Sequence, residues 1–165
     1  MSDRSLTIAQ VLSLLDAAPP RIAALSIGLA PAHLRTSSQN DGWSANDVLA
    51  HLRACADVWG GCMLTILSHD RPTLRAVNPR SWIKKTDYLE QEFQPSLQAF
   101  TKQRDDLLAV LEPLAPAAWS RAAIVTGAGK PLEWTVLLYA QRLASHERTH
   151  LKQIESLVSA LRQRS

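Results

Sequence analysis

The sequence predicts an all-α protein, a four-helix bundle, on three observations. Apolar residues recur at intervals of three and four along four long segments, the period of a helix with one buried face. Stretches rich in proline, glycine and polar residues separate those segments. The chain also echoes itself: Leu29-Ala30-Pro31-Ala32 matches Leu114-Ala115-Pro116-Ala117, and each is followed by a loop and a histidine-bearing helix with a tryptophan near its start, Trp43 or Trp134. Two helical, hairpin-like halves facing each other would produce that pattern. At 165 residues, 46% hydrophobic and 20% charged, the chain is read as one soluble domain over 1–165, large enough to bury a core.

Taken in order, Ser5 can cap a first helix with the stripe Leu6, Val11, Leu12 and Leu15. Pro19 and Pro20 punctuate it, and Ile22, Leu25 and Leu29 resume the pattern, which makes one kinked helix or two short ones. Gly42-Trp43-Ser44 opens the second helix. Ser44 is its N-cap, Asp47 closes an acidic capping box, and Trp43 is placed to staple onto Val48. Its stripe is Val48, His51 or Leu52, Cys55, Trp59, Met63 and Ile66 or Leu67, reaching to about Ser68 despite Gly60-Gly61. From His69 to Asp87 the pattern breaks, which predicts a long loop with at most a turn of helix, of a length often used as a lid. Pro95 suits the first turn of the third helix, with Leu97, Phe100, Leu107 or Leu108 and Leu111 facing inward and an end near Glu112-Pro113. Residues 117–130, with Gly127 and Gly129, are read as a connection, and Pro131 as the start of a fourth helix running to Leu161.

Composition narrows the function classes. The net charge is +3, but the basic residues are scattered, and only Arg71 to Lys85 gathers several, without interleaved aromatics, so nucleic acid is not expected as a partner. No uninterrupted apolar run reaches transmembrane length and no signal-peptide pattern is found, which argues against a membrane and for a cytoplasmic protein. Cys55 and Cys62, about two turns apart on one helix, are too far apart to bridge and are read as free thiols.

The chemistry-bearing motif is His146-Glu147-Arg148-Thr149-His150. Histidines four apart on a helix lie one turn apart on one face, within reach of a single ion. Both fall on the stripe Val136, Tyr139, Leu143, His146, His150, Ile154, Leu157 and Leu161 that should face the core. Buried imidazoles need partners, and one metal ion satisfies two at once. The same letters fit the H-E-x-x-H pattern of zinc proteases, in which the glutamate is the general base. Only Glu155 offers a downstream carboxylate and no third histidine follows, which argues against that reading. A third ligand would have to come from elsewhere. His51, on the core stripe of the second helix, is placed to meet His146 and His150 inside such a bundle.

Gly42-Trp43-Ser44 with Val48-Leu49-Ala50-His51-Leu52, together with His146-Glu147-Arg148-Thr149-His150-Leu151-Lys152-Gln153-Ile154, resembles the DinB-like superfamily, particularly its DinB_2 branch, over nearly the whole chain. The resemblance implies a bundle of up-down-down-up topology and a divalent metal held by one histidine of the second helix and two of the fourth. Those positions are His51, His146 and His150. Three imidazoles leave a coordination position open for water or substrate, so the ion would act as a Lewis acid or activate water. An all-nitrogen set favours zinc or nickel, with iron(II) or manganese conceivable.

Other residues carry plainer readings. Asp47, one turn before His51, fits a capping carboxylate better than a group orienting that histidine, and Cys55 fits the core better than a fourth ligand. Glu147 points about 100° away from its ligand neighbour and is given no catalytic role. His33 and His69 are assigned to solvent-facing loops, Trp59 and Trp134 to the core or a pocket wall, and Trp82 to packing or a lid. Two function classes follow. By resemblance, one is a metal-dependent enzyme on a small molecule: a hydrolase, or a transferase or isomerase using a low-molecular-weight thiol such as glutathione, mycothiol or bacillithiol. The other is a stress-associated bundle whose metal only ties helices together. The resemblance also implies a homodimer.

Overall fold

The structure is a computed structural model that describes residues 6–164. Four long helices make the body: α1 (Ile8–Ser26), α3 (Ala45–Ser68), α5 (Phe93–Leu111) and α7 (Val136–Gln163). Three one-turn helices connect them, α2 (Pro31–Leu34), α4 (Pro79–Trp82) and α6 (Pro116–Trp119), each with proline in its first turn, where the missing N–H costs nothing. Thr7 caps α1 through a capping box with Gln10; Ser5, proposed above for that duty, lies outside the described residues.

Side-chain bonds fix the helix directions. Gln141 reaches the Leu6 carbonyl and Arg162 the Leu25 and Ile27 carbonyls, so α1 and α7 run parallel. Asp41, just before α3, meets Gln153 late on α7, while Cys62 meets Tyr139 early on it, so α3 is antiparallel to α7. Asn46 bonds the Gln91 carbonyl before α5, and Gly60 lies against Leu107, so α3 and α5 run together. The bundle is therefore up-down-down-up, as expected. Its core takes Val11, Leu15 and Ile22 from α1, Val48, Leu52, Met63 and Ile66 from α3, Phe100, Leu108 and Leu111 from α5, and Leu143 and Ile154 from α7. Burying each such side chain stabilises by about 1.5–3 kcal/mol.

Two connections differ from expectation. The segment expected as loop from His69 to Asp87 contains strand β1 (Thr73–Arg75), α4 and a 3-10 turn, Ile83–Lys85. Residues 122–126 form β2 (Ala122–Thr126), and 132–135 form β3 (Leu132–Thr135), in a sheet of order β1-β2-β3. β3 pairs antiparallel with β2 in the register Ala123↔Trp134 and Ile124↔Glu133, while β1 pairs parallel with β2. Ile124, Val125, Thr126, Trp134 and Thr135 are β-branched or aromatic and flank a glycine-bearing turn, a hairpin signal that outweighs the helical reading of Pro131. The last helix consequently begins at Val136, with the Thr135 hydroxyl accepting from the Leu138 N–H.

α1 is one continuous helix through Pro19 and Pro20. It is also long and apolar enough to pass a length-and-composition test for a membrane span. In the bundle, however, Val11, Leu15 and Ile22 are fully buried against α5 and α7. Pro19 has no N–H to give the Leu15 carbonyl four residues earlier, and Arg104 of α5 donates to that carbonyl instead at 2.8 Å. The same guanidinium forms a two-pronged ion pair with Glu147 of α7, and both side chains are 2% exposed. Arg104→Met alone leaves a buried, unpaired carboxylate and should lower unfolding free energy by about 3–5 kcal/mol, whereas Arg104→Met with Glu147→Leu should recover most of it. Urea denaturation of the two variants checks this; equal losses would show that the charge pair is not the source.

Candidate metal centre

The site begins at the capped start of α3. The Ser44 hydroxyl accepts from the Asp47 N–H, and the Asp47 carboxylate accepts from the Ser44 N–H, so Asp47 is a capping residue and does not orient His51. Gly42, with φ 79, takes the left-handed turn that leads into Trp43, a conformation other residues rarely adopt. Trp43 then lies edge-on to His51 at 5.4 Å and stacks on His150 at 6.3 Å between centroids. This tryptophan, anticipated as a helix staple, forms a wall of the histidine cluster.

The structure brings the three sequence-predicted histidines together. Ring centroids are 5.1 Å apart for His51 and His146, 4.8 Å for His51 and His150, and 4.4 Å for His146 and His150. His51 is buried, and the other two are half-buried. The Nε2 atoms of His51 and His146 lie 2.9 Å apart, so at most one of them carries a proton. Cys55, one turn after His51, places its Sγ 3.5 Å from His51 Nε2, and His51, Cys55 and His146 form a group whose ligand atoms all lie within 4.8 Å, close enough to hold a metal ion. Sequence reasoning favoured the core for Cys55; it is indeed buried, but its sulfur faces the imidazoles.

The tautomer of His150 follows from its partners. Gln153 Nε2 donates to the Asp41 carboxylate at 3.0 Å, because a carboxylate can only accept. The other end of that amide, Oε1, therefore faces His150 Nδ1 at 2.7 Å, and Nδ1 must be the donor. The proton sits on Nδ1, and Nε2 keeps its lone pair for a ligand. This Asp41–Gln153–His150 relay was not found from sequence, because its members are 112 residues apart and only Gln153 keeps helical spacing with a histidine.

Burial lowers the pKa of all three imidazoles. Burial, then the neighbouring His150 and the charge of Arg80, bring His51 down to about 4. Burial and the same neighbours, with His51 and Arg142, bring His146 down to about 4. His150 is lowered chiefly by burial, partly opposed by its bond to Gln153. Burial pushes the Cys55 thiol up to about 12, with the Glu147 charge adding to the effect, so the thiol is protonated at neutral pH. Neutral imidazoles with free lone pairs are the form that binds a metal.

The remaining candidates lie elsewhere. Glu147 is paired with Arg104 in the core and not with the histidines, which removes the general base that the H-E-x-x-H protease reading needs. His33 is exposed on α2 rather than in a loop, and His69 is exposed at the C-cap of α3. Trp59 packs edge-on to His146 at 5.1 Å, Trp134 tilts against Tyr139 at 4.9 Å, and Trp82 is no lid: its Nε1 donates to Asp57 on α3.

A four-helix bundle of this topology, in which three histidines of its second and fourth long helices converge, defines the class of fold. The sequence profile of the DinB superfamily, branch DinB_2, matches residues 14–154, and the chain belongs to that superfamily. Among solved structures it is similar to YfiT from Bacillus subtilis, described as a probable metal-dependent hydrolase with an unusual four-helix bundle topology. The likeness has a TM-score of 0.76 at 16% identity over 95% of this chain and 86% of that one, and it establishes the shared fold. No curated protein matches the sequence significantly.

The depressed histidines make acid sensitivity a direct test. Above pH 6.5, His51 and His146 are neutral both folded and unfolded; as pH falls below 6.5 the unfolded chain takes up protons that the fold refuses until about pH 4. Stability of the metal-free protein should therefore fall between those limits, and His51→Gln with His146→Gln should flatten that fall in chelator-treated samples followed by thermal melting.

Proposed function

We propose that the chain holds one divalent metal ion through His51, His146 and His150 and acts as a metal-dependent enzyme on a small molecule. What supports it most is convergence: three imidazoles from two antiparallel helices meet within 5.1 Å of one another, with Nε2 of His51 and His146 facing each other and Nε2 of His150 left unprotonated. Trp43 and Trp59 wall the cluster. Gln153, braced by Asp41, holds the His150 ring in its ligating orientation. The donor set suits zinc or nickel first, and iron(II) or manganese next. A divalent ion there would supply Lewis-acid polarisation to a substrate and to the water or low-molecular-weight thiol that reacts with it. Hydrolysis is favoured by the description of YfiT, and thiol-dependent transfer or isomerisation by the family resemblance.

A second reading has a specific observation behind it. The Cys55 sulfur, 3.5 Å from His51 Nε2, is placed to become a fourth ligand. Loss of its proton to a metal would close the coordination and leave a bundle in which the ion only ties α3 to α7. Cobalt substitution separates the two: a sulfur-to-cobalt charge-transfer band that disappears in Cys55→Ser supports the closed site, and its absence supports the open one.

Purified protein should carry about one equivalent of divalent metal, and His51→Ala/His146→Ala/His150→Ala should carry almost none; equal metal content by elemental analysis would sink the proposal. Metal at about 100 times its Kd should also stabilise the native chain by about 2.7 kcal/mol and leave the triple variant unaffected. We further propose a two-fold dimer. Exposed Leu64 and Val110 line a groove of about 770 Å³ between α3 and α5, which a second copy could cover. Light scattering at micromolar concentration should give twice the chain mass, and a monomer mass would refute the dimer.

A further inference from the structure

We infer that Arg80 and Arg142 form a cationic mouth over the histidine cluster and select small substrates that carry a carboxylate beyond the atom presented to the metal. This rests on the three-histidine metal reading above and deepens it by naming the substrate class.

Arg142 precedes His146 by one turn of α7, so the two share a face. Its guanidinium lies 5.1 Å from the centre of the Trp59 ring, and the edge of that ring meets His146, so Trp59 is wall to both. Arg80 lies on α4, which packs on α3. The short helix is capped by Asn78, whose side chain accepts from the Arg80 N–H. Asp57 holds the strap in place, accepting from Trp82 Nε1 at 3.1 Å and from the Tyr88 hydroxyl at 2.6 Å, with Gln103 on its other oxygen. From there the charge of Arg80 bears on all three imidazoles and on Cys55, and that of Arg142 on His146 and Cys55. Of the basic residues gathered between Arg71 and Lys85, Arg80 is the one whose charge lowers the imidazoles, while Arg75 sits on β1 beside Gly127.

Several other arginines are held by partners. Ion pairs take Arg21, Arg35, Arg71 and Arg104; Arg53 lies over Tyr88; Arg121 donates to the Leu67 and His69 carbonyls. Arg80 and Arg142 enter none of the side-chain ion pairs among the described residues, and both are exposed. Two unneutralised cations beside a cation-binding cluster work against the bare ion and in favour of an anion. A guanidinium also presents paired donors matched to a carboxylate, which a lysine does not.

The opposite signs make the test. Cobalt-loaded protein is titrated with 3-mercaptopropionate and with its uncharged amide, following the sulfur-to-cobalt absorption that added thiol produces. The acid should bind at least about tenfold more tightly than the amide, and Arg80→Gln/Arg142→Gln should reduce that preference to about twofold or less. The same variant should bind cobalt itself as tightly as wild type or more so, which a merely damaged site would not do. Added salt should erode the wild-type preference. A cobalt-loaded protein that binds both thiols equally, binds neither, or keeps its preference in the double variant overturns the inference and leaves the metal reading intact. Failure to bind cobalt at all overturns the metal reading, and this inference with it.

Discussion

The arrangement of the bundle depends on one buried guanidinium. Arg104 occupies a core position of α5, between Phe100 and Leu107, and is 2% exposed. Its charge is balanced by Glu147 of α7, and it also donates to the Leu15 carbonyl that Pro19 leaves without a helical partner. Three helices are thereby tied at one point. A buried ion pair contributes little net stability against a well-packed apolar substitute, but it penalises misaligned packings in which any member is left alone. The rotation of α7 is the quantity this fixes. With Glu147 turned toward α1 and α5, the neighbouring His146 and the residue one turn on, His150, must face α3, where His51 meets them.

The cluster itself is held in a state the bundle core alone would not choose. One buried and two half-buried imidazoles around a buried thiol give up hydration and gain few hydrogen bonds in return: among the described residues, His150 has Gln153, while His51 and His146 face each other. Burial and nearby arginines keep them neutral rather than charged and solvated. Such a concentration of lone pairs is costly for folding and useful for coordination, the pattern expected where function overrides packing.

How much of this the sequence discloses follows from the range of the interactions. Ser44 and Asp47 announce the start of α3 because a capping box is complete within four residues. The stripes of α1, α3 and α5 are legible because the helical period repeats along each, and the three histidines lie on two such stripes. The sheet escapes because its strands are three to five residues long, β1 pairs with a strand about fifty positions away, and Pro131 imitates a helix start. Arg104 does leave a trace: it stands where the stripe Leu97, Phe100, Leu107 and Leu111 calls for an apolar residue. Its partner could not be read, since the H-E-x-x-H spelling around Glu147 invites a catalytic meaning that only the third dimension removes. Asp41 and Gln153 carry no local signature at all.

The unanticipated sheet and strap bear directly on the site. β1 leads out of α3 and is bound to β2, and β3 runs into the N-cap of α7, so the two helices that carry the histidines are linked at the end away from the cluster. From β1 the chain returns through α4, where Asp57 accepts three side-chain hydrogen bonds, from Trp82, Tyr88 and Gln103. Arg53, one turn before Asp57, lies 3.8 Å over the Tyr88 ring and bonds Gln91 and Ser96, closing the strap against α5. Each of these bonds is made on the α3 and α5 side, away from the imidazoles. The strap is thus anchored without using a histidine, and its Arg80 side chain stays exposed. Placing the anchors on one face of α3 and the ligand and thiol on another lets the strap vary its outward side chains without disturbing the histidine geometry. On the proposed reading, that division would put substrate choice on a connecting segment and coordination on rigid helices, the usual distribution of labour between loop and scaffold.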